Sequence, residues 1–167
     1  AFAPTTTGIL YSKNRPVEVI KQLYDIAFLF DLSTDMSLIN KAYRRVVEEE
    51  IRFRRLGITL EDVLEDSFQA CIDITERDIQ KEHFKHLQKG ISNIVNFILE
   101  KFHLEEAIVC AAKTAYLTKA IRAEKQTIER YLQPDQVKEL KITHASFTKF
   151  NKLKKSSPEA FFYWYHA

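Results

Sequence analysis

The stretch Pro16-Val17-Glu18-Val19-Ile20-Lys21-Gln22-Leu23-Tyr24-Asp25-Ile26-Ala27-Phe28-Leu29-Phe30-Asp31 decides how the rest of the chain is read. Proline suits the first position of a helix, where an amide proton would lack a partner anyway. Val19, Ile20, Leu23, Ile26, Ala27 and Phe30 then recur at three- and four-residue spacing, which winds them onto one broad apolar face. Only Lys21, Gln22 and Asp25 interrupt it, so the pattern predicts a centrally placed helix from Pro16 to about Asp31.

The same period continues outward. The break Asp31-Leu32-Ser33-Thr34-Asp35 leads into a second helix over 36–55, with Leu38, Ile39, Ala42, Tyr43, Val46, Val47, Ile51 and Phe53 on its apolar side. Gly57 is the expected left-handed stop. Thr59, with Asp62 three residues on, reads as the cap and imperfect capping box of a third helix carrying Leu60, Val63, Leu64, Phe68, Cys71 and Ile72. From Ile79 to about Phe102, the residues Phe84, Leu87, Ile91, Ile94, Val95 and Ile98 mark a fourth, with Gly90 as a close-packing position. A fifth is expected from His103–Glu105 to about Leu132, its Ala107, Ala111, Ala112, Ala115 and Ala120 allowing close approach of neighbours. Pro134 ends it. A short lysine-rich helix over 145–155 and a last helix capped by Ser157 and opened by Pro158 complete the series. The tail Phe161-Phe162-Tyr163-Trp164-Tyr165 must dock, because exposing it would forfeit about 25 cal/mol per Å² of apolar surface.

Composition agrees with this reading. The 167 residues contain three Gly and four Pro, too few for the turns of a sheet protein. The expected fold is all-α, an irregular bundle of six to seven helices without a sheet. Residues 1–15 form an extended lead-in and 16–167 a single helical domain. Apolar residues make up 46% and charged residues 29%, and twelve Phe, seven Tyr and one Trp supply ample core. Cys71 and Cys110 are too few for a disulfide framework and read as free buried thiols. No apolar run is long enough to span a membrane and no secretory signal opens the chain, so a soluble protein of the reducing cytoplasm is expected. With Ala1 rather than Met in first place, the chain reads as processed, trimmed or drawn from a longer protein.

Few residues carry a chemical signal. His83 and His86 lie three apart beside Glu82, yet lack a third ligand at a natural offset, and a solvated polar stripe is the better reading. No phosphate loop or nucleophile elbow occurs. Net charge is only +2, although Arg52 and Arg55 on the second helix and Lys149, Lys152, Lys154 and Lys155 near the end form local basic clusters. Charged-surface pairing such as Glu48–Arg52 and Glu50–Arg54 competes there with phosphate or RNA contact. Lys21 and Asp25, one turn apart on an otherwise apolar helix, either close the core edge as an ion pair or serve a site, with Asp25 orienting a ligand and Lys21 meeting a phosphate.

Asn14-Arg15 followed by Ile20-Lys21-Gln22-Leu23-Tyr24-Asp25-Ile26-Ala27-Phe28-Leu29 resembles the late (R/K)-D-x-Y-D-(I/L) helix of the AbiEii/AbiGii-type nucleotidyltransferases, the toxin components of abortive-infection and type IV toxin–antitoxin systems. The resemblance implies that Asp25 and Lys21 are catalytic. Gln22 stands where the family's first Asp is usual, which leaves the acidic pair incomplete. It also implies Mg²⁺ and a nucleoside triphosphate in the full-length protein, an N-terminal nucleotidyltransferase core bearing a GS…DxD signature, RNA as a possible acceptor and an antitoxin-like partner. No GS…DxD occurs in these residues, so the chain is expected to be the helical C-terminal part, inactive alone, with no metal site of its own. A free-standing, non-catalytic helical interaction module is the alternative.

Overall fold

A computed structural model describes residues 1–98 and 101–167. Among them are seven α-helices and no strand: α1 (Pro16–Leu32), α2 (Met36–Arg54), α3 (Leu60–Glu76), α4 (Glu82–Ile94), α5 (Leu104–Arg122), α6 (Leu153–Ser156) and α7 (Pro158–His166). Short 3-10 turns occupy Tyr11–Lys13, Pro134–Val137 and Ala145–Lys152. The all-α irregular bundle is the one the periodicity predicts.

The centre is α5 rather than α1. Every residue from Ala111 to Thr118 is buried, and α5 packs against α1, α3 and α7 at once. Its alanines make this possible, since small side chains let three neighbours approach the same helix. α1 instead flanks α5 and α4. It buries Val19, Ile20, Leu23, Ala27 and Phe30 and leaves Phe28, Leu29 and Leu32 in solvent.

Helix starts follow local chemistry. α1 begins at Pro16. Asp35 caps α2 by accepting from the amides of Ser37 (2.8 Å) and Leu38 (3.1 Å). Thr59 and Asp62 form the reciprocal box, the Thr59 amide donating to Asp62 Oδ2 at 2.7 Å and the Asp62 amide to Thr59 Oγ1 at 3.3 Å. Pro158 opens α7, but Ser157 makes no side-chain cap there.

α1 stops at Leu32 and α2 at Arg54, each within a residue of the expected bound, while the later stops depart from expectation. α2 ends in a left-handed Arg55 (φ 54°), two residues before Gly57. α4 stops at Ile94; of the longer helix expected to Phe102, Leu99 and Glu100 lie outside the described residues. α5 stops at Arg122, and the backbone as far as Gln133 runs irregularly instead of completing the expected helix to Leu132. The lysine-rich helix over 145–155 is mostly a 3-10 turn, with α6 as its only α-helical part. Residues 1–15 do not run extended. They coil through turns, and Phe2 and Ala3 are fully buried. Thr5 and Thr6 amides anchor the segment on Asp66 of α3, at 2.9 and 2.8 Å.

The aromatic tail docks internally. Phe161, Phe162, Tyr163 and Trp164 are buried, and Tyr163 meets Phe30 and Tyr116 edge to face or tilted at 5.4 and 5.7 Å. Gly90 sits where α4 crosses α1, against the Pro16 carbonyl.

Burial also sets an acid response. It holds the imidazoles of His86 and His166 below the ordinary value of 6.5, because the charged ring is poorly solvated there. The unfolded chain therefore binds protons first as pH falls, so stability is complete above 6.5 and declines below it. Burial alone would raise the Glu76 carboxyl. Lys149 and Lys81 outweigh it and hold Glu76 below 4.5, so a second loss follows as pH drops through that carboxyl's folded value. Thermal unfolding followed from about pH 7.5 to about pH 2 should show both steps, and His86→Gln with His166→Gln should flatten the first.

Candidate functional site

Three candidate regions emerge, and the helix geometry of α1 separates them. Residues three and four apart share a helix face. Lys21, Asp25, Phe28, Leu29 and Leu32 accordingly form one exposed strip along α1, opposite the buried side. Its first half is charged and its second half apolar. Lys21 and Asp25 are joined by no ion pair among the described residues; the Lys21 ammonium lies 5.7 Å from the ring centroid of Phe97. The core-edge ion pair weighed from sequence does not form, and both groups face solvent.

One flank of the strip borders a polar cleft of about 460 Å³ between α1, α5 and the start of α7. At its floor lies Lys113, only 9% exposed. Its ammonium bridges Asp31 Oδ2 (2.7 Å) on α1 and Glu159 Oε1 (2.9 Å) on α7. Burial would lower the Lys113 pKa, but the two carboxylates outweigh it and hold the amine above its ordinary value. Lys113 is thus a charged brace tying three helices together, not a nucleophile. Cys110, one turn away on the cleft wall, has its thiol pushed up to about 12 by burial, so it is not a thiolate at neutral pH. The sequence hint for this cluster was one lysine inside an alanine-rich run. Its partners, Asp31 and Glu159, are distant in the chain and identifiable only from the fold.

The other flank opens on an apolar groove of about 380 Å³ between α1, α2 and α5. Leu29 and Leu38 stand at its rim, 59% and 65% exposed.

The basic residues expected to meet phosphate divide. Lys149 pairs with Glu76 Oε1 at 2.6 Å. Lys154 donates to the carbonyls of Lys138 and Leu140, the latter at 2.9 Å, so it fastens the irregular segment to α6. Lys152 and Lys155 are exposed, with no ion pair among the described residues. Arg52 and Arg55 are likewise exposed, on a different element, at the C-terminal end of α2. The Glu50–Arg54 pair forms at 2.8 Å. Glu48–Arg52 does not, and Arg45 bonds Glu49 at 3.0 Å instead.

The histidines serve packing. His83 stacks on Tyr11 with centroids 4.5 Å apart, and His86 meets the same ring edge-on at 5.1 Å. Among the described residues no three His, Cys, Asp or Glu side chains come together as a metal site. Nor is any described helix long and apolar enough to cross a membrane. Comparison with protein-family models, curated proteins and solved structures finds no match to this chain.

Proposed function

We propose that this chain is the helical portion of a nucleotidyltransferase-like protein of the cytoplasm, and that α1 presents Lys21 and Asp25 to a catalytic core lying outside these residues. The resemblance of Ile20–Leu29 to the late helix of AbiEii/AbiGii-type enzymes motivates the reading. The observation that carries it is the exposure of both charged groups on one face of α1, uncommitted to each other.

In this reading Asp25 accepts a hydrogen bond from the nucleotide or acceptor and Lys21 offsets negative charge on a phosphate. A single exposed carboxylate is not a Mg²⁺ site, which needs several oxygen ligands with the substrate phosphates. The metal and the triphosphate therefore belong to the core, and no metal step is assigned to this chain. Lys152 and Lys155, together with Arg52 and Arg55, are the exposed cations that would meet an RNA acceptor. An antitoxin-like protein is a natural partner of such an enzyme.

The test is Mg²⁺-dependent transfer of labelled nucleotide by the protein carrying this chain together with its core. Asp25→Ala should lower turnover about a hundredfold, the scale of losing one electrostatic contact to the transition state, with circular dichroism unchanged. The 167-residue chain alone should incorporate none. Wild-type turnover by Asp25→Ala, or robust incorporation by the isolated chain, would refute the proposal.

A second reading, a non-catalytic interaction module, is favoured by the apolar groove between α1 and α2. It predicts that Asp25→Ala changes nothing while substitutions along that groove abolish function.

A further inference from the structure

We propose that a cavity between the turns preceding α1 and the C-terminal end of α2 is a phosphate-binding site. Neither Lys21 nor Asp25 enters it, so it is independent of the nucleotidyltransferase reading.

The cavity measures about 520 Å³ and is lined by Gly8, Ile9, Leu10, Lys13, Arg15 and Arg54. Three of these six residues are cations and none is a carboxylate. One cation suffices for a carboxylate, whereas three converging on one space suit a group with more than one negative charge, as phosphate has. Ile9 and Leu10 are half-buried and add an apolar wall. The space is that of a small-molecule cleft, so it takes a phosphate carried on a larger molecule.

The wall is fixed before any ligand arrives. The Gly8 carbonyl and the Ile9 amide belong to one peptide group, and two helices hold it. Arg54 of α2 donates from Nη1 to the Gly8 carbonyl at 3.2 Å. The Ile9 amide donates to Gln22 Oε1 of α1, also at 3.2 Å. Gly8 is buried and has no room for a side chain, since a Cβ there would lie 2.6 Å from the Ala1 carbonyl oxygen and 2.8 Å from the Ala3 nitrogen and oxygen.

The cations keep donors to spare. Arg54 Nε donates to Glu50 Oε2 at 2.8 Å, and together with the Gly8 bond this orients the guanidinium. Its Nη2 has no hydrogen-bond partner among the described residues. Glu18 stands 3.8 Å from Arg15 Nε, beyond hydrogen-bond reach, which leaves that guanidinium open. Lys13 is exposed and forms no ion pair among the described residues. Even with Glu18 and Glu50 counted, the group keeps a net positive charge. An oriented arginine fork with two further cations beside it is suited to phosphate oxygens.

Two probes of the 167-residue chain test the site and separate a free phosphate compound from a polynucleotide backbone: inorganic triphosphate followed by NMR, and a labelled single-stranded RNA followed by fluorescence anisotropy. Saturable triphosphate binding that shifts the Ile9, Leu10 and Lys13 amides assigns the site to free phosphate compounds. RNA binding that falls steeply with salt, without saturable triphosphate binding, assigns it to a backbone. In either case Lys13→Gln and Arg15→Gln, both at exposed positions, should each weaken binding about tenfold, the scale of one charged hydrogen bond, with helix content unchanged. Lys41→Gln removes an equal charge about 20 Å back along α2 from Arg54, beyond the screening length at physiological salt, and should leave binding as it was. Failure of both probes to bind, indifference to Lys13→Gln and Arg15→Gln, or an equal loss in Lys41→Gln would each overturn the proposal.

Discussion

Trp164→Ala lowers the unfolding free energy by about 3–5 kcal/mol and the melting temperature by roughly 6–20 °C. Trp164 is 5% exposed and closes the contact between α7, α3 and the Ala145–Lys152 turn. Its ring lies 4.6 Å from Phe150 and 5.7 Å from Phe68. The indole N–H donates to Thr75 Oγ1 at 3.2 Å. The Thr75 hydroxyl in turn donates to the Cys71 carbonyl at 2.9 Å, so both groups in this buried contact are satisfied. Truncation removes the transfer energy of the ring and leaves a cavity bounded by three separate elements, which are poorly placed to collapse together. Trp164→Phe keeps the aromatic contacts, loses the indole hydrogen bond and should retain most of the stability. Denaturant unfolding checks both variants. A loss below about 1 kcal/mol for Trp164→Ala would mean that α7 is not held through this residue.

Helix starts were legible in the sequence because their causes are local. A proline at the first position, or Thr59 with Asp62 three residues later, carries the signal within a single turn. The stops of α4 and α5 were not. α5 ends ten residues before the expected Leu132, and the reason lies in other elements. The Tyr116 hydroxyl accepts from the Glu129 amide at 2.7 Å, and the Tyr163 hydroxyl accepts from the Tyr131 amide at 3.4 Å. Arg130, on the same irregular segment, donates to the Phe30 carbonyl at 2.7 Å and to that of Ser33 at the end of α1. Tertiary partners replace the helical hydrogen bonds, and no local pattern announces them. The left-handed stop at Arg55 was hidden similarly, since Gly57 two residues on carried the conventional signal.

The same division applies to the site. Lys21 and Asp25 stood out as charges in an apolar run, but the run alone implied a central helix and left open which side of α1 faced the core. Only the packing of α1 on α5 and α4 turns both groups to solvent. Of the Lys113 brace the sequence carries only a lysine inside an alanine-rich run; Asp31 and Glu159 are ordinary in their own segments, and the cluster exists only because α1, α5 and α7 converge.

Gly90→Ala should cost about 3 kcal/mol, the upper end of what overpacking one methyl typically produces. In an exposed helix interior the same change stabilises by about 0.5–1 kcal/mol, so packing reverses the sign. A Cβ at this position would land on the carbonyl oxygen of Pro16 and lie 2.6 Å from Ile20 Cγ1. The Ile20 side chain can turn away, but the Pro16 carbonyl is backbone at the first turn of α1 and cannot yield without moving that helix. Ile20→Ala added to Gly90→Ala should therefore rescue little. Gly57 supplies the control, because a Cβ there meets nothing within 4 Å. Gly57→Ala should be neutral or stabilise by about 0.4–1 kcal/mol through the unfolded chain. Chemical denaturation of the two alanine variants side by side checks the reversal, and equal effects would exclude close packing at Gly90. The strain also carries a functional consequence, since Lys21 lies within about one and a half turns of Pro16 and Asp25 about one turn further along the same helix. If α1 presents these groups to a catalytic core, the Gly90→Ala protein should lose transfer activity at temperatures where it remains folded, although Gly90 makes no contact with either residue.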